Sequence, residues 1–236
     1  MLRAYPGYCC ICERSVSFSS ESSWLREGLA CSGCRSVPRE RALALVLEEL
    51  SPKWRKLSIH ESSPAKRGIS PKLKKECPGY IETQFYPGQP LGQVIKGFRN
   101  ENAEKLTFAD SSFDLYISLD LMEHVNRPDR VFQEAARTLK PGGLCLFTTP
   151  TYKERVQTQR RALYKEDGSV DFMGFKPEYH GNPVSDDGAL VTFHFGYDLP
   201  ELIGQWSNLD TRLYRFHDKY HGIIGEFTEV YACWKR

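Results

Sequence analysis

Four of the eight cysteines have the spacing of a metal site. Two residues lie between Cys9 and Cys12, and two lie between Cys31 and Cys34, with eighteen residues between the two pairs. Two thiolates at this spacing can bind one edge of a metal ion, and a second pair completes a tetrahedron around Zn²⁺. The pattern predicts a structural zinc site. Because four protein ligands would fill it, we expect no catalysis by this metal.

Two alternatives to this ligand set are open. Cys10 could replace Cys9, although only Cys9 leaves a two-residue gap before Cys12. The thiols could instead form disulfides, which are rare in a cytosolic chain. The first residues have no apolar signal segment, and no apolar run approaches membrane-spanning length. We therefore expect a cytoplasmic protein without membrane contact.

Three histidines are candidates for a general base, because imidazole accepts a proton near neutral pH. His180 is preferred: it lies in the segment Tyr179-His180-Gly181-Asn182-Pro183, inside a long polar stretch. Long insertions of this kind are often lids or substrate loops, and we assign residues 151–195 to a substrate loop. His194 is the second candidate and His124 the third. A lone loop histidine is, however, more often unreactive.

The elements that would position these residues include two apolar runs, Phe113–Leu119 and Leu144–Thr149. Runs that are apolar on both faces are typical of parallel strands covered by helices on both sides. The segment Pro128–Lys140 between them is amphipathic, begins with a proline and is followed by Pro141-Gly142-Gly143. Strand, helix and strand at this spacing predict a right-handed βαβ unit.

The same stretch resembles the second half of a class I S-adenosylmethionine-dependent methyltransferase domain. The most specific motifs are the SFD that enters the first strand, the MEHV that follows it and the RTLKPGG turn before the second. The resemblance is close over about forty-five residues, 106–150, and weaker over the rest of 54–236. It implies an α/β fold with a Rossmann-like, mostly parallel sheet of seven strands and helices on both faces. The cofactor would be S-adenosyl-L-methionine.

The resemblance also implies cofactor contacts at four strand ends, in the order of the chain. The implied cofactor-binding residues are Glu61, Ser62 and Ser63; Glu82; Asn102 and Ala103; and Ser118, Leu119 and Asp120.

Several of these positions depart from the family pattern or have a second interpretation. Residues 61–64 read Glu-Ser-Ser-Pro where the family has a glycine-rich turn, so side chains occupy a place where glycine permits close contact. Glu82 or Gln84 would bind the ribose hydroxyls, or Glu82 lies on the solvent edge. Asn102 stands where Asp is usual. Asp120 could face the cofactor's ammonium or sulfonium, or could cap the following helix.

The zinc ribbon (residues 1–37) and a linking helix (38–53) precede the methyltransferase domain (54–236). Such a ribbon resembles the N-terminal extension of some bacterial methyltransferases, and zinc modules also precede methyltransferase domains in ribosomal RNA enzymes. Arg35, Arg39 and Arg41 could bind an anionic substrate, or could form a solvated helix face that pairs with nearby glutamates.

Charge is informative about the acceptor. The formal net charge is +2, and residues 1–80 carry 14 Lys and Arg against 8 Asp and Glu. No long basic stripe with interleaved aromatic residues is present, so nucleic acid is possible but not favoured. The predicted function is methyl transfer to oxygen or nitrogen of a small-molecule or sugar acceptor. The alternatives are an RNA methyltransferase that uses the ribbon for substrate binding, and a non-catalytic methyltransferase-like binding protein.

Overall fold

The computed structural model of the protein describes residues 2–181 and 188–236. Asn182 and Pro183, at the end of the His180 segment, therefore lie outside the described residues. The strands in the described ranges are β1 Leu2–Cys9, β2 Arg14–Ser20, β3 Ala30–Cys31, β4 Ile59–Ser62, β5 Tyr80–Gln84, β6 Val94–Ile95, β7 Phe98–Asn100, β8 Phe113–Leu119, β9 Leu139–Thr148, β10 Gln159–Arg160, β11 Leu163–Tyr164, β12 Val170–Asp171, β13 Tyr179–His180, β14 Ala189–Leu190, β15 Phe193–His194, β16 Leu209–Tyr214 and β17 Val230–Lys235. The helices there are α1 Leu25–Gly28, α2 Pro38–Leu50, α3 Ile69–Glu76, α4 Pro128–Thr138 and α5 Leu199–Ser207, with 3₁₀ turns at Trp54–Lys56 and Met122–His124.

The central sheet has eight strands in the order β16-β17-β9-β8-β4-β5-β7-β6. Its middle pairs, from β9 through β8, β4 and β5 to β7, are all parallel. The β9–β17, β16–β17 and β6–β7 pairs are antiparallel. The predicted Rossmann-like, mostly parallel α/β fold is confirmed, and the two-residue β6 adds an eighth strand at the edge.

Each face of the sheet is covered by a separate apolar core, as the apolar runs predicted. In β8, Leu115 and Ile117 pack on the side of α2 and α3, whereas Tyr116, which lies between them in the sequence, packs on the side of α4 and α5. The period of two along a strand produces this division. Burying one such large apolar side chain contributes about 1.5–3 kcal/mol, so the two layers hold the strand ends rigidly in place.

The N-terminal segment, residues 2–37, packs onto the central sheet and its helices. Its strands β1, β2 and β3 form an antiparallel sheet, and Phe18 and Leu29 belong to the same apolar core as α2. Arg41 of α2 is 0% exposed and joins the parts through its guanidinium, which donates to the Leu29 carbonyl at 3.0 Å and to the Gly222 carbonyl at 2.6 Å. The segment is thus fastened to the domain by apolar contacts and by buried hydrogen bonds.

Two predicted boundaries are wrong. The segment WRKLSIHE at residues 54–61 predicts the first strand of the sheet from the sequence, but Trp54–Lys56 is a 3₁₀ turn closed by backbone bonds, and β4 begins at Ile59. Helix α4 ends at Thr138, and Pro141-Gly142-Gly143 lies inside β9 rather than acting as the stop. The strand can start early because Leu139 pairs directly with Phe113, and a register shift then accommodates the turn residues.

Within residues 2–181 and 188–236, no helix combines the length and the apolar character needed to cross a bilayer.

Candidate active site

A cleft of about 820 Å³ opens at the carboxyl ends of β4 and β8. Open α/β sheets bind ligands at this edge, and the volume lies within the range of about 300–1,000 Å³ that ligand pockets have. Five of the predicted site residues line the cleft: Ser63, Leu119, Asp120, His124 and His180. The fold therefore brings one predicted cofactor turn, one predicted strand end and two predicted bases to the same cavity.

The turn that replaces the glycine-rich loop adopts a glycine-like backbone at Ser63. Its φ is 55°, in the left-handed region that favours glycine. The Ser63 amide donates to the Thr83 carbonyl at 2.9 Å, which anchors the turn between two strands. Ser62 points into the protein, where its hydroxyl accepts a bond from the Tyr116 hydroxyl at 3.1 Å. The turn thus has the required path, although a side chain stands at Ser63.

Glu61 lies beneath the cleft rather than in its wall. Its two carboxylate oxygens accept hydrogen bonds from the Ser70 hydroxyl and the Tyr80 hydroxyl, each at 2.6 Å. Burial raises the pKa of Glu61 to about 7, against an ordinary value of 4.5. Both oxygens of Glu61 therefore already have donors within the protein. A contact between Glu61 and the cofactor stays a prediction.

The cleft is not lined by four other residues that were predicted to bind the cofactor: Glu82, Asn102, Ala103 and Ser118. Glu82 pairs with Lys74 at 2.5 Å, and the Asn102 side-chain oxygen accepts a bond from the Glu104 amide at 2.9 Å. Ala103 packs against the apolar core under α4 and α5. Ser118 is fully buried, and its hydroxyl has no hydrogen-bond partner in the described part of the chain. Their cofactor contacts also stay predictions.

Asp120 faces the cleft but is held by two arginines. Its carboxylate contacts Arg26 at 2.5 Å and Arg39 at 2.7 Å, and accepts a bond from the Thr148 hydroxyl at 2.9 Å. Burial would raise the pKa of Asp120, but Arg26 and Arg39 outweigh it and hold that pKa below its ordinary value. The 3₁₀ turn Met122–His124 has no side-chain cap, so the capping alternative is wrong.

The three predicted arginines are not gathered in one place: Arg39 lines the cleft, whereas Arg35 and Arg41 do not. Arg39 is engaged by Glu27 and Asp120, Arg41 is fully buried among backbone carbonyls, and Arg35 is exposed. Neither interpretation from the sequence therefore describes all three residues. Arg26, which sequence reasoning did not select, also lines the cleft: it is 4% exposed and donates to the Phe227 carbonyl at 2.5 Å.

The three candidate histidines are brought together by two glutamates. His180 Nδ1 lies 4.0 Å from Glu123 Oε1, and His180 Nε2 lies 3.5 Å from Glu178 Oε1. His124 Nε2 is 3.8 Å from Glu123 Oε1, and His194 Nε2 is 2.8 Å from Glu178 Oε2. We call these five residues the histidine–glutamate wall. His194 belongs to it from behind, because it does not line the cleft itself.

Burial sets the protonation of this wall. It raises the pKa of Glu123 to about 7 and lowers the pKa of both His124 and His194. Sequence reasoning missed Glu123 and Glu178, although a signal existed for each. Glu123 immediately precedes His124 in the MEHV motif, and Glu178 lies two residues before His180, the spacing that puts both on one side of an extended segment.

Aromatic rings form the mouth of the cleft. Trp24, Tyr152 and Phe227 line it, with ring centroids 6.1 Å apart for Trp24–Phe227 and 5.2 Å apart for Tyr152–Phe227. The Tyr152 ring also stacks on His194 at 4.2 Å. A flat or ring-shaped molecule could pack against this surface.

The four predicted zinc ligands are adjacent in space. Cys9 Sγ and Cys34 Sγ are 3.7 Å apart, as are Cys12 Sγ and Cys31 Sγ, and all four lie within 4.8 Å of one another. Tetrahedral Zn²⁺ with bonds of about 2.3 Å requires sulfur–sulfur separations of about 3.8 Å. Cys10 instead donates to the Arg41 carbonyl, and all eight cysteines are unpaired. The metal and its ligand set stay a prediction.

The fold is similar to that of solved S-adenosylmethionine-dependent methyltransferases. A crystal structure of such an enzyme from Mesorhizobium loti superposes with a TM-score of 0.53 at 13% sequence identity, covering 82% of this chain and 98% of that one. The family model described as "Methyltransferase domain" matches residues 80–147.

Curated relatives match parts of the chain. A ubiquinone/menaquinone biosynthesis C-methyltransferase of Nitrobacter hamburgensis is 51% identical over 55 residues, 22% of each chain. A ubiquinone biosynthesis O-methyltransferase of Caulobacter vibrioides is 31% identical over 124 residues, 47% of each chain. The chain thus spans less than half the length of these relatives.

Proposed function

We propose that the protein transfers a methyl group from S-adenosyl-L-methionine to a small-molecule acceptor bound in the cleft. The observation that carries the proposal is the arrangement of the cleft. The Ser63 turn and Asp120 lie at the strand ends, with the histidine–glutamate wall beside them. The methyltransferase fold and the family match over residues 80–147 support it.

In this proposal, the Ser63 side of the cleft would hold the methionine end of the cofactor, and we call it the methionine side. The left-handed backbone at Ser63 provides the path that glycine gives in the family, and Ala65 leaves space beyond it. Asp120 would meet the cofactor's ammonium by sharing its carboxylate with Arg26 and Arg39. When bound, S-adenosylmethionine supplies an electrophilic methyl group on positive sulfur. The chain's own part is to align the acceptor, exclude water and receive its proton.

The acceptor we propose is ring-shaped and carries a hydroxyl or amine. Trp24, Tyr152 and Phe227 offer packing surfaces for a ring, and the wall offers polar groups deeper in. In the transfer, a lone pair of the acceptor oxygen or nitrogen attacks the methyl carbon. The carbon–sulfur bond breaks towards sulfur, and the acceptor proton leaves on the side of the wall. The names of the ubiquinone biosynthesis O-methyltransferase relatives agree with methyl transfer to oxygen.

We further propose that Cys9, Cys12, Cys31 and Cys34 hold one structural zinc ion. Their sulfur separations match a tetrahedral site, and backbone amides of Cys12 and Gly33 donate to the sulfurs of Cys9 and Cys31 at 3.4 and 3.3 Å. The unpaired state of the cysteines agrees with a reducing, cytoplasmic location, which belongs to the same proposal.

Calorimetric titration with S-adenosylmethionine tests the function. We expect one cofactor per wild-type chain. Ala65→Trp, which fills the methionine side of the cleft, should weaken binding at least tenfold, whereas its neighbour Lys66→Trp, exposed and outside the cleft, should bind normally. Thermal melts check that both variants fold. Absence of heat with the wild type would support the non-catalytic alternative, and equal affinity in both variants would place the cofactor elsewhere.

The acceptor is tested separately with labelled cofactor and a panel of phenols, sugars, amines and transfer RNA. Label in a phenol, sugar or amine is expected. Label in RNA alone would overturn the small-molecule proposal in favour of the RNA alternative, whose binding should also weaken steeply with salt.

A further inference from the structure

Three side chains of the histidine–glutamate wall form a compact donor set. Glu123, His124 and His180 each present one ligand atom, and the three atoms lie within 4.8 Å of one another. His124 and His180 line the cleft, so any position left open between the three side chains faces the cleft. The set is separate from the four cysteines.

Glu123 has an unsatisfied oxygen directed at this point. The residue is 1% exposed, and its Oε2 accepts a bond from the Thr149 hydroxyl at 2.9 Å. Oε1 is also buried and has no hydrogen-bond donor among residues 2–181 and 188–236. A buried carboxylate oxygen without a donor is rare because it has lost its water and gained nothing in return. A cation between Glu123 and the two imidazoles would satisfy it.

The tautomer of His124 supports a cation there. Its Nδ1 lies 2.9 Å from the Leu190 carbonyl oxygen, which can only accept, so Nδ1 carries the hydrogen. In the neutral ring, Nε2 then presents a lone pair, and this atom is the one 3.8 Å from Glu123 Oε1. Two acceptors therefore face each other. An Nδ1–H bond to a backbone carbonyl is also the usual support of a metal-binding histidine.

His180 has the same two-sided arrangement. Its Nδ1 is 4.0 Å from Glu123 Oε1, while Nε2 is 3.5 Å from Glu178 Oε1. The second oxygen of Glu178 is fixed by His194 at 2.8 Å. Glu178 would thus orient the His180 ring from behind, as an outer carboxylate does in carboxylate–histidine–metal triads.

We infer that Glu123, His124 and His180 bind a divalent transition-metal ion in the wall of the cleft. Two imidazoles and one carboxylate suit Zn²⁺, Fe²⁺, Co²⁺ or Ni²⁺, and three protein ligands leave open positions. Bonds of about 2.1 Å require donors about 3.4 Å apart. The distances of 3.8 and 4.0 Å from Glu123 Oε1 to the two histidines must therefore shrink by about 0.4–0.6 Å, and the separation of the two histidine atoms, which is within 4.8 Å, by at most about 1.4 Å. Rotation of the half-exposed His180 side chain can provide this.

The chemical role of the ion rests on the proposed methyl transfer. An acceptor hydroxyl at an open metal position would form an oxygen–metal bond, and its pKa would fall, as that of metal-bound water does. The oxygen–hydrogen bond then breaks, the proton passes to solvent through the cleft, and the oxygen keeps its electron pair for the methyl group. No electron is gained or lost by the metal. His180 is then a ligand rather than the general base that the sequence suggested.

Metal titration of the full chain tests the site. Wild type and three variants are freed of metal and titrated with Zn²⁺ and with Co²⁺, and the bound ions are counted. Wild type should hold one ion per chain more than His180→Gln or Glu123→Gln. His217→Gln, an exposed histidine outside the wall, should match wild type. The thiolate-to-metal absorption that marks Co²⁺ bound to cysteines should be the same in wild type and His180→Gln, because the ion that the variant fails to bind has no cysteine ligand.

A graded variant sharpens the result. Glu178→Gln keeps all three ligands but removes the outer carboxylate, and should weaken the ion about 10–100-fold. Equal metal content in wild type and His180→Gln would overturn the site. Cofactor titration on the same samples separates the two proposals. If the extra ion is not found but S-adenosylmethionine binds normally, only the metal site is refuted. If the extra ion is found but S-adenosylmethionine does not bind, only the proposed methyl transfer is refuted.

Discussion

Replacement of Arg26 by methionine should weaken the packing of the N-terminal segment against the cleft and so lower the free energy of unfolding. Arg26 is 4% exposed, and its guanidinium contacts Asp120 at 2.5 Å and the Phe227 carbonyl at 2.5 Å. Methionine keeps most of the apolar stem but loses both contacts. Removing one partner of a buried ion pair costs about 3–5 kcal/mol, and an unsatisfied buried carbonyl costs about 1–3 kcal/mol.

The structure places the cost of Arg26→Met at the low end of the range for a broken ion pair, about 3–5 kcal/mol. Asp120 keeps Arg39 at 2.7 Å and the Thr148 hydroxyl at 2.9 Å, so its charge stays paired. We therefore expect a loss of about 3 kcal/mol in the free energy of unfolding, which for a chain of this size lowers Tm by about 6–12 °C. The matched control, Arg35→Met, alters an exposed arginine of the same segment and should change stability by less than about 0.5 kcal/mol.

Differential scanning calorimetry and urea unfolding give both numbers. A double-mutant cycle with Asp120→Asn should yield a coupling energy of about 1–3 kcal/mol between the two residues. Equal melting temperatures for Arg26→Met and Arg35→Met, or a coupling energy of zero, would refute the reasoning that this ion pair holds the segment over the cleft.

Three further predictions concern stability and metal. Burial raises the pKa of Glu61 to about 7 from 4.5, so wild type loses stability as the pH rises through this interval, while Glu61→Gln does not ionise. The variant should equal wild type near pH 4 and exceed it by about 3 kcal/mol above pH 7 in urea unfolding; a constant difference would contradict this. Arg41→Met leaves the Leu29 and Gly222 carbonyls without their donor and should cost about 3–5 kcal/mol by the same assay; a loss below 1 kcal/mol would show that water replaces it. Cys31→Ser should reduce zinc content and Tm, and Cys10→Ser should change neither; loss of zinc in both would contradict the ligand set.

Much of the sheet could be predicted because its signals are local. Strand β8 has the bounds Phe113–Leu119 that its apolar run predicted, and α4 begins at Pro128, where the proline suits a first helical turn. The cysteine spacing likewise predicted the cluster that the fold assembles. Each of these features depends on residues that are neighbours in the sequence or that belong to one repeated pattern.

The wall of the cleft could not be predicted in the same way. Arg26 and Asp120 are 94 residues apart, and no local pattern links them. Glu123 and His180 meet only because the loop after β9 folds back onto the end of β8. Glu61 shows the converse: its position at a strand end was visible, but the direction of its side chain depends on Ser70 and Tyr80, which supply the donors.

The most direct measurement of the central claim is a crystal structure of the full chain with saturating S-adenosylhomocysteine. We expect the homocysteine end between the Ser63 turn and Asp120, with the sulfur facing His124 and His180 across the cleft. Density for the ligand at another place, or an empty cleft at concentrations that saturate binding in solution, would contradict it.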